Sequence, residues 1–475
     1  MTTLVIDVGS SSVRALLFDA DNQLIPDTQS RREHHFAADA TANSDELRQL
    51  VEACIDAVLA HPRATEVEAA GMATFVGNMV GLDAERNPIT PLYTYADIRS
   101  HDDALQLARE LDMQAVHART GCRIHPAYHP ARLHWLKRTQ PNLYERVTLW
   151  TDFASACYST WFGRDVPTSY SVASWSGLLD RHTLQWDAQW RDYLQLADDA
   201  LPALADMTAV QTGLCPTYAK RWPALREVPF YLAAGDGAAA NIGSGGTTPD
   251  RPVLTVGTTA ALRIVTIDPG TIPLGLWCYR VDAERHLVGG ATSEGGNVFG
   301  WARETLRLDR DDLDAALAGC EPGAHGLTVL PLLAGERSPG FQSGASGTIH
   351  GLRLDTRPLD MLHALLESVA LRLRLIYELM GTPGDYVLAA GGALVQSKAW
   401  AQIMADALSV PLHLADTPQA TARGVALLIA EHQRPDDAPL METPHAAIVN
   451  PRPGSAAAYA KLLNRQRELY QRLYD

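Results

Sequence analysis

Thr3-Leu-Val-Ile-Asp-Val-Gly-Ser-Ser-Ser-Val-Arg-Ala-Leu-Leu-Phe18 reads as a strand, a small-residue turn and a second strand. One carboxylate, Asp7, interrupts the first apolar run. A carboxylate at the end of such a strand is costly unless a metal or hydrogen bonds satisfy it. Asp7 is therefore either a partner of a phosphate-bound metal or a turn-stabilising residue. The turn itself, Gly9-Ser10-Ser11-Ser12, offers backbone N–H groups and hydroxyls to phosphate oxygens, and Arg14 adds charge just beyond it. The Gly-Lys-[Ser/Thr] of a Walker loop is absent, so this is a different kind of phosphate cradle.

The same grammar returns midway. Pro252-Val-Leu-Thr-Val-Gly-Thr-Thr-Ala-Ala-Leu-Arg-Ile-Val-Thr266 is again strand, polar hairpin, strand. After each hairpin comes mixed α/β material. In the first half this is a helix over 45–61, with Leu47, Leu50, Val51, Cys54, Ile55 and Val58 on one face, then strands over 69–75 and 79–83. In the second half helices are expected over 359–380, 399–408 and 421–431, with a buried strand Tyr386-Val-Leu-Ala-Ala390 running into Gly391-Gly392. The pattern predicts an α/β protein of duplicated architecture, with domains at 1–245 and 246–435 and a hinge near the Gly/Thr/Pro-rich stretch 243–251. Residues 436–475 read as a Pro-rich tail, a loop over 435–453, and a terminal helix over 456–474.

Composition narrows the function. The 475 residues carry a net charge of −15, which argues against a general nucleic-acid or anionic-membrane binder, since either would need a basic face. Six scattered cysteines (54, 122, 157, 215, 278 and 320) form no CxxC pair and read as reduced thiols of a cytoplasmic protein. No apolar run is long enough to span a membrane, and no signal peptide opens the chain. A homodimer is compatible with the sequence, which does not specify one.

Chemistry concentrates at Leu232-Ala-Ala-Gly-Asp-Gly-Ala-Ala-Ala-Asn-Ile-Gly-Ser-Gly245, a small-residue segment built around Asp236. Phosphoryl transfer to a hydroxyl needs positioning, a metal and a base. Asp236 can supply the base, and the small neighbours let two ligands approach closely. The plainer reading is an N-cap on a helix starting at Gly237. Gly257 and Thr258 repeat the donor-rich turn, and Gly391-Gly392 gives a flat backbone on which a nucleotide can lie. Tyr95-Ala-Asp-Ile-Arg99 sets Asp97 and Arg99 on one side, either for sugar hydroxyls or as an ion pair. His125, His129 and His134 lack a further ligand at metal spacing, and the tryptophans at 175, 186, 190 and 301 read as core.

Taken in order, these segments resemble the FGGY family of carbohydrate kinases, most of all its gluconokinase branch, over residues 3 to 430. Gly347-Thr-Ile-His-Gly-Leu352 followed by Asp360-Met-Leu-His-Ala-Leu-Leu-Glu367 fits the family's C-terminal pattern, and Leu330-Pro-Leu-Leu-Ala-Gly-Glu-Arg-Ser-Pro-Gly340 is similar to a gluconokinase segment. Thr120–Pro126 and Ser171–Asp180 also resemble that branch. The resemblance implies two ribonuclease-H-like domains of the actin/hexokinase type around a central cleft. It further implies ATP and Mg²⁺ as cofactors and a terminal hydroxyl of an open-chain sugar or sugar acid as acceptor, gluconate first. Pentulose or polyol kinases, and a non-catalytic sugar sensor, are the alternatives. It implies Asp236 as general base, and Asp7 with Asp236 on the metal. Ser10, Ser11, Ser12, Arg14, Gly257, Thr258, Gly296, Gly391, Gly392 and Gln396 would face the nucleotide. Asn78, Asp97, Arg99, His125 and Asp236 would face the sugar. Arg99, Arg123 and His125 are candidates for a substrate carboxylate. Four positions depart from the family. Val76-Gly77 replaces the usual Met-His, so a side chain that normally touches sugar is missing; Tyr95 replaces Trp and Arg132 replaces Lys.

Overall fold

The computed structural model describes residues 2–308, 311–342, 344–415, 417, 419–435 and 445–474. Two seven-stranded mixed sheets organise them, one made only from residues before the Asp236 segment ends and one only from residues after 252. In the first, Thr2–Val8 is paired antiparallel to Ser12–Phe18, which pairs with Ser30–Glu33; on its other side it runs parallel to Val67–Thr74. Phe230–Tyr231 and Ala234–Gly235 extend the parallel part, and Val210–Gln211 closes that edge. The second sheet repeats the plan. Val253–Val256 pairs antiparallel with Ala260–Thr266 and parallel with Val387–Ala390. His286–Thr292 and Trp277–Arg280 extend the hairpin side, and Leu412–Ala415 extends the parallel side.

Burial follows from the connections. The opening strand has helices over one face and the other half of the molecule over the other, so all its residues are buried, as parallel strands covered on both sides require. Helix Ser44–Leu59 starts on Asn43, whose side chain accepts from the N–H groups of Asp45 and Glu46, and it packs Leu47, Val51, Cys54, Ile55 and Val58 inward. Helix Pro358–Leu379 does the same for the second sheet. A third apolar core joins the halves. It holds Val5, Leu16 and Phe18 of one sheet, Ala261, Val265 and Tyr279 of the other, and the helices Asp236–Gly243 and Ala420–Gln433 between them. Those two helices touch backbone to backbone. A Cβ on Gly243 or Gly424 would lie 1.8 Å from a carbonyl oxygen of the opposite helix, Ala420 or Ala239 respectively.

One expectation needs correcting. His445–Val449, inside the stretch expected as loop, is an edge strand antiparallel to Leu412–Ala415; residues 436–444 of that stretch lie outside the described residues. The terminal helix runs Ser455–Tyr474. Among the described residues no helix is long and apolar enough to cross a membrane.

Candidate functional site

Strand register brings the two key carboxylates together. In the first sheet Asp7 lies beside Ala73 and Val8 beside Thr74, while Ala234 and Gly235 lie against the same two residues from the other side. The chain then turns into the helix that Asp236 begins, so Asp7 and Asp236 emerge at one end of the sheet. Asp236 sits at the first helical position; Gly235 is the cap residue, and the Asp236 Oδ1 accepts the Gly237 N–H at 2.7 Å. Burial pushes the Asp236 carboxyl up to about 6 against the pull of the Arg263 guanidinium, and the charge of Asp7 adds to the rise. Asp7 is itself buried and raised, held down by its cross-strand neighbour Arg14 at 3.2 Å.

Asp236 lines a cavity of about 270 Å³ between the halves. One wall comes from the first half: Val76, Gly77, Tyr95, His125, Tyr128 and Trp175. The facing wall comes from the second: Thr259, Ala261, Arg263, Trp277, Tyr279 and Arg337. Trp175 stacks on Tyr279 at 3.6 Å between ring centroids, and Tyr279 on Trp277 at 4.4 Å. The Tyr128 and Tyr279 hydroxyls, 2.6 Å apart, clasp the two walls. Glycine is needed at 237 because a Cβ there would stand 2.9 Å from the Trp175 ring.

The polar groups around this cavity are unevenly satisfied. His125 Nδ1 accepts the Ala127 N–H at 3.2 Å, which places the ring proton on Nε2. Burial, with the charges of Arg337 and Arg123, pushes its pKa down to about 3, so the ring is neutral. His125 Nε2, Trp175 Nε1, Trp277 Nε1 and Arg263 Nε are all buried without a hydrogen-bond partner among the described residues. All four are donors on cavity-lining side chains, an arrangement that favours a ligand rich in acceptor oxygens.

The two turns stand at the same end. Gly9 N–H closes the first on Ser12 O (3.0 Å) and Gly257 N–H the second on Thr259 O (2.9 Å); Ser10 and Thr259 reach the cavity, while Ser11 is exposed and Ser12 buried. Helix Gly296–Thr305 spends its first N–H groups on the second turn, Gly296 on Gly257 O (2.7 Å) and Asn297 on Thr258 O (3.1 Å). Gly296 therefore fixes the turn. Gly391, at φ +107°, follows Ala390 past the strand end, where a Cβ would meet Val256 O at 2.3 Å. Gly392 and Gln396 begin and end the short helix after it, both exposed.

Several expected sugar contacts lie elsewhere. The Asn78 side chain accepts from Phe153 N–H (2.8 Å) and donates to Phe75 O, bracing the strand ends behind the cavity. Asp97 and Arg99 form a bidentate pair (2.9 and 2.7 Å); Arg99 also reaches Asp39 and stacks over Trp135. None of the three lines the cavity. Arg14 is taken by Asp7, Ser12 and Gln419. Arg123 reaches Gly340 O (3.4 Å) and covers Phe341. Arg132, in place of Lys, is fully buried and donates to Thr94 O (2.6 Å) and Gly77 O (3.4 Å), shaping the wall at Gly77. Trp175, expected as core, is both core and cavity wall. Sequence reading missed Arg263, Arg337, Tyr128, Trp277 and Tyr279; the only sequence signal for Arg263 was its alternation with Ala261 along one strand face.

A second polar cluster, His325, His363 and Glu367, is buried under the second sheet. His325 Nδ1 accepts the Leu327 N–H at 2.9 Å, so its Nε2 carries the proton donated to Glu367 at 2.8 Å. That tautomer leaves His325 no lone pair for a metal, and the cluster is a hydrogen-bonded brace.

Comparison with known proteins follows this layout. Residues 2–243 match the N-terminal domain of the FGGY family of carbohydrate kinases, and residues 253–431 its C-terminal domain. The chain is 26% identical to a gluconokinase of Bacillus licheniformis over 90% of this chain and 86% of that one. It is 24% identical to a xylulose kinase of Escherichia coli over 99% and 98%. The crystal structure of a gluconate kinase from Lactobacillus acidophilus superposes with a TM-score of 0.91 at 23% identity, covering 99% of this chain and 98% of that one. With both halves matched and the two turns and Asp236 meeting at one cavity, the chain belongs to the FGGY family of carbohydrate kinases and is an ATP-dependent sugar kinase.

Proposed function

We propose that the protein transfers the γ-phosphoryl group of ATP to a terminal hydroxyl of an open-chain sugar acid, gluconate first, giving 6-phosphogluconate. Asp236 is the general base. The observation that carries this reading is the cavity itself: a raised carboxylate faces a cleft between the halves, lined by four unpartnered N–H donors, where the two turns meet. A polyhydroxy acid is rich in the acceptors such a ring needs. Similarity to the gluconokinase of Bacillus licheniformis points the same way.

The residues divide the work by position. Ser10, Thr258 and Thr259 cradle the phosphates, and Gly391 and Gly392 carry the nucleotide past the strand ends. Asp7 and Asp236, brought to one end of the sheet, would hold Mg²⁺; the fit is one of charge, since both carboxyls are buried and raised and the charge of Asp7 adds to the rise at Asp236. When bound, the ion neutralises charge on the transferring phosphoryl group. His125 Nε2–H and the two indole N–H groups orient hydroxyls. Asp236 accepts the proton of the attacking hydroxyl, and the aromatic wall keeps water from competing.

A pentulose kinase is the second reading, favoured by one observation: Val76 and Gly77 contribute no polar side chain to their part of the cavity wall. ADP release with ATP–Mg²⁺ against gluconate, other aldonates, pentuloses, pentitols and glycerol tests both, with Asp236→Asn as the blank. Gluconate is expected to dominate; turnover chiefly of a pentulose would reverse the order. No turnover with any of them would point to the sensor.

A further inference from the structure

The second hairpin carries a charge that has no ion-pair partner among the described residues, although the Asp236 carboxyl is near enough to act on it. Ala261 and Arg263 share one strand face and, with Thr259 of the turn before the strand, line the cavity. Arg263 is half-buried in the cavity wall, yet its buried Nε has no partner and its one hydrogen bond, Nη1 to Thr255 Oγ1, is long at 3.5 Å. Among the described residues no carboxylate lies within ion-pair distance of it. Arg132, Arg280 and Arg372 also leave Nε unpartnered, but their terminal nitrogens reach close acceptors: Thr94 O for Arg132, Arg181 O for Arg280 and Glu336 for Arg372. A buried guanidinium without an acceptor is a costly arrangement unless a ligand completes it. Across the cavity the Arg337 side chain likewise has no hydrogen-bond or ion-pair partner among the described residues. With His125 neutral, the charged lining is two guanidinium groups and the one carboxylate of Asp236.

We infer that Arg263, assisted by Arg337, is the specificity-determining residue that binds the carboxylate of an aldonate substrate. The inference rests on the aldonate reading above and supplies the cation it needs, in place of Arg99, Arg123 and His125. Register separates this role from phosphate binding. Arg263 pairs with Val253, three residue pairs below the last pair before the turn, Val256 and Ala260, which sets its Cα about 10 Å back along the strand. The side chain itself reaches toward the start of the Asp236–Gly243 helix, where Arg263 Nε stands 3.7 Å from the place a Cβ on Gly237 would take, so one compact acid can offer a hydroxyl to Asp236 and its carboxylate to the planar fork of Arg263, with small Ala261 beneath it. Arginine suits this better than lysine because it meets a carboxylate through two parallel N–H···O bonds.

The test measures binding of gluconate and of glucitol, which has CH₂OH in place of the carboxylate, to the intact protein by calorimetry without nucleotide. Wild type should prefer gluconate. Arg263→Gln should weaken gluconate about 100-fold while shifting glucitol less than about threefold, as loss of one partner of a buried charge pair predicts. Arg337→Gln should weaken gluconate about tenfold, and Arg263→Lys should recover part of the preference. In turnover, the Arg263→Gln loss should appear in KM for gluconate far more than in kcat. Equal weakening of both ligands would overturn the assignment and make Arg263 a scaffold residue. A wild-type protein that binds glucitol or a pentulose better than gluconate would instead overturn the aldonate reading, and this inference with it. If Arg263→Gln does not fold, unchanged gluconate-to-glucitol ratios in both Arg263→Lys and Arg337→Gln would overturn it.

Discussion

The two hairpins are alike in backbone and differ in whether their charge is balanced. Each is an antiparallel pair whose first strand also runs parallel to a neighbour, and each carries an arginine on its second strand. In the first, Arg14 stands directly across from Asp7 and the charges meet at 3.2 Å. In the second, the residue across from Arg263 is Val253. One hairpin thus closes its charge within the protein, and the other keeps it open toward the cavity. A repeated scaffold fixes where a side chain stands; the residue across the strand decides whether it serves the fold or a ligand.

The comparison can be broken at several points. The largest effect is expected at Asp236, between the hairpins: Asp236→Asn should lower kcat by about 10³-fold or more while KM for ATP moves little, seen in steady-state ADP release. The same carboxyl sets a pH signature. With its pKa raised to about 6, kcat/KM should climb as pH rises through about 6 and level off above it. The sign for stability is opposite. The native state binds this proton more tightly than the unfolded chain, so ionising Asp236 costs stability from about pH 4 upward and fully above 6. Asp236→Asn should melt higher than wild type at pH 8, with the gap closing as pH falls toward 4.

Opening the closed hairpin comes next. Asp7→Asn leaves Arg14 without its carboxylate and should cut kcat about 100-fold at saturating sugar, with added Mg²⁺ restoring part of it. Closing the open one is the converse. Val253→Asp places an acid opposite Arg263, as Asp7 stands opposite Arg14, and should weaken gluconate about tenfold in calorimetry while sparing glucitol. The smallest effect is expected behind the cavity. Tyr470→Phe removes a 2.6 Å hydrogen bond to Glu336, whose carboxylate also accepts from Gly340 and Gln342 on either side of Phe341. It should raise KM for the sugar roughly fivefold with kcat nearly unchanged, about the worth of one hydrogen bond.

The hairpins, the helices after them and Asp236 were legible because each is written locally: alternation, small turn residues, a lone acid in an apolar run. Residues whose role depends on register were not. Arg263 matters because of what faces it across the sheet and above it in the cavity. Asn78 sits among cavity residues in sequence, yet its amide is spent on Phe153 and Phe75. Asp97 and Arg99 share a side as expected, and that proximity lets them satisfy each other. The edge strand at 445–449 was hidden because its pairing partner, Leu412–Ala415, lies some thirty residues earlier across a Pro-rich stretch that reads as loop.

The helix Ser455–Tyr474, beyond the residues that match the family, grips the cavity wall through Tyr470, and Tyr474 holds Ser346 N–H at 3.2 Å. For anyone attaching a purification tag or reporter, this end is therefore no neutral handle: a bulky fusion pulls on the segment that carries Arg337 and Phe341. A flexible spacer between this helix and any such group, judged by KM rather than by yield, is the practical safeguard.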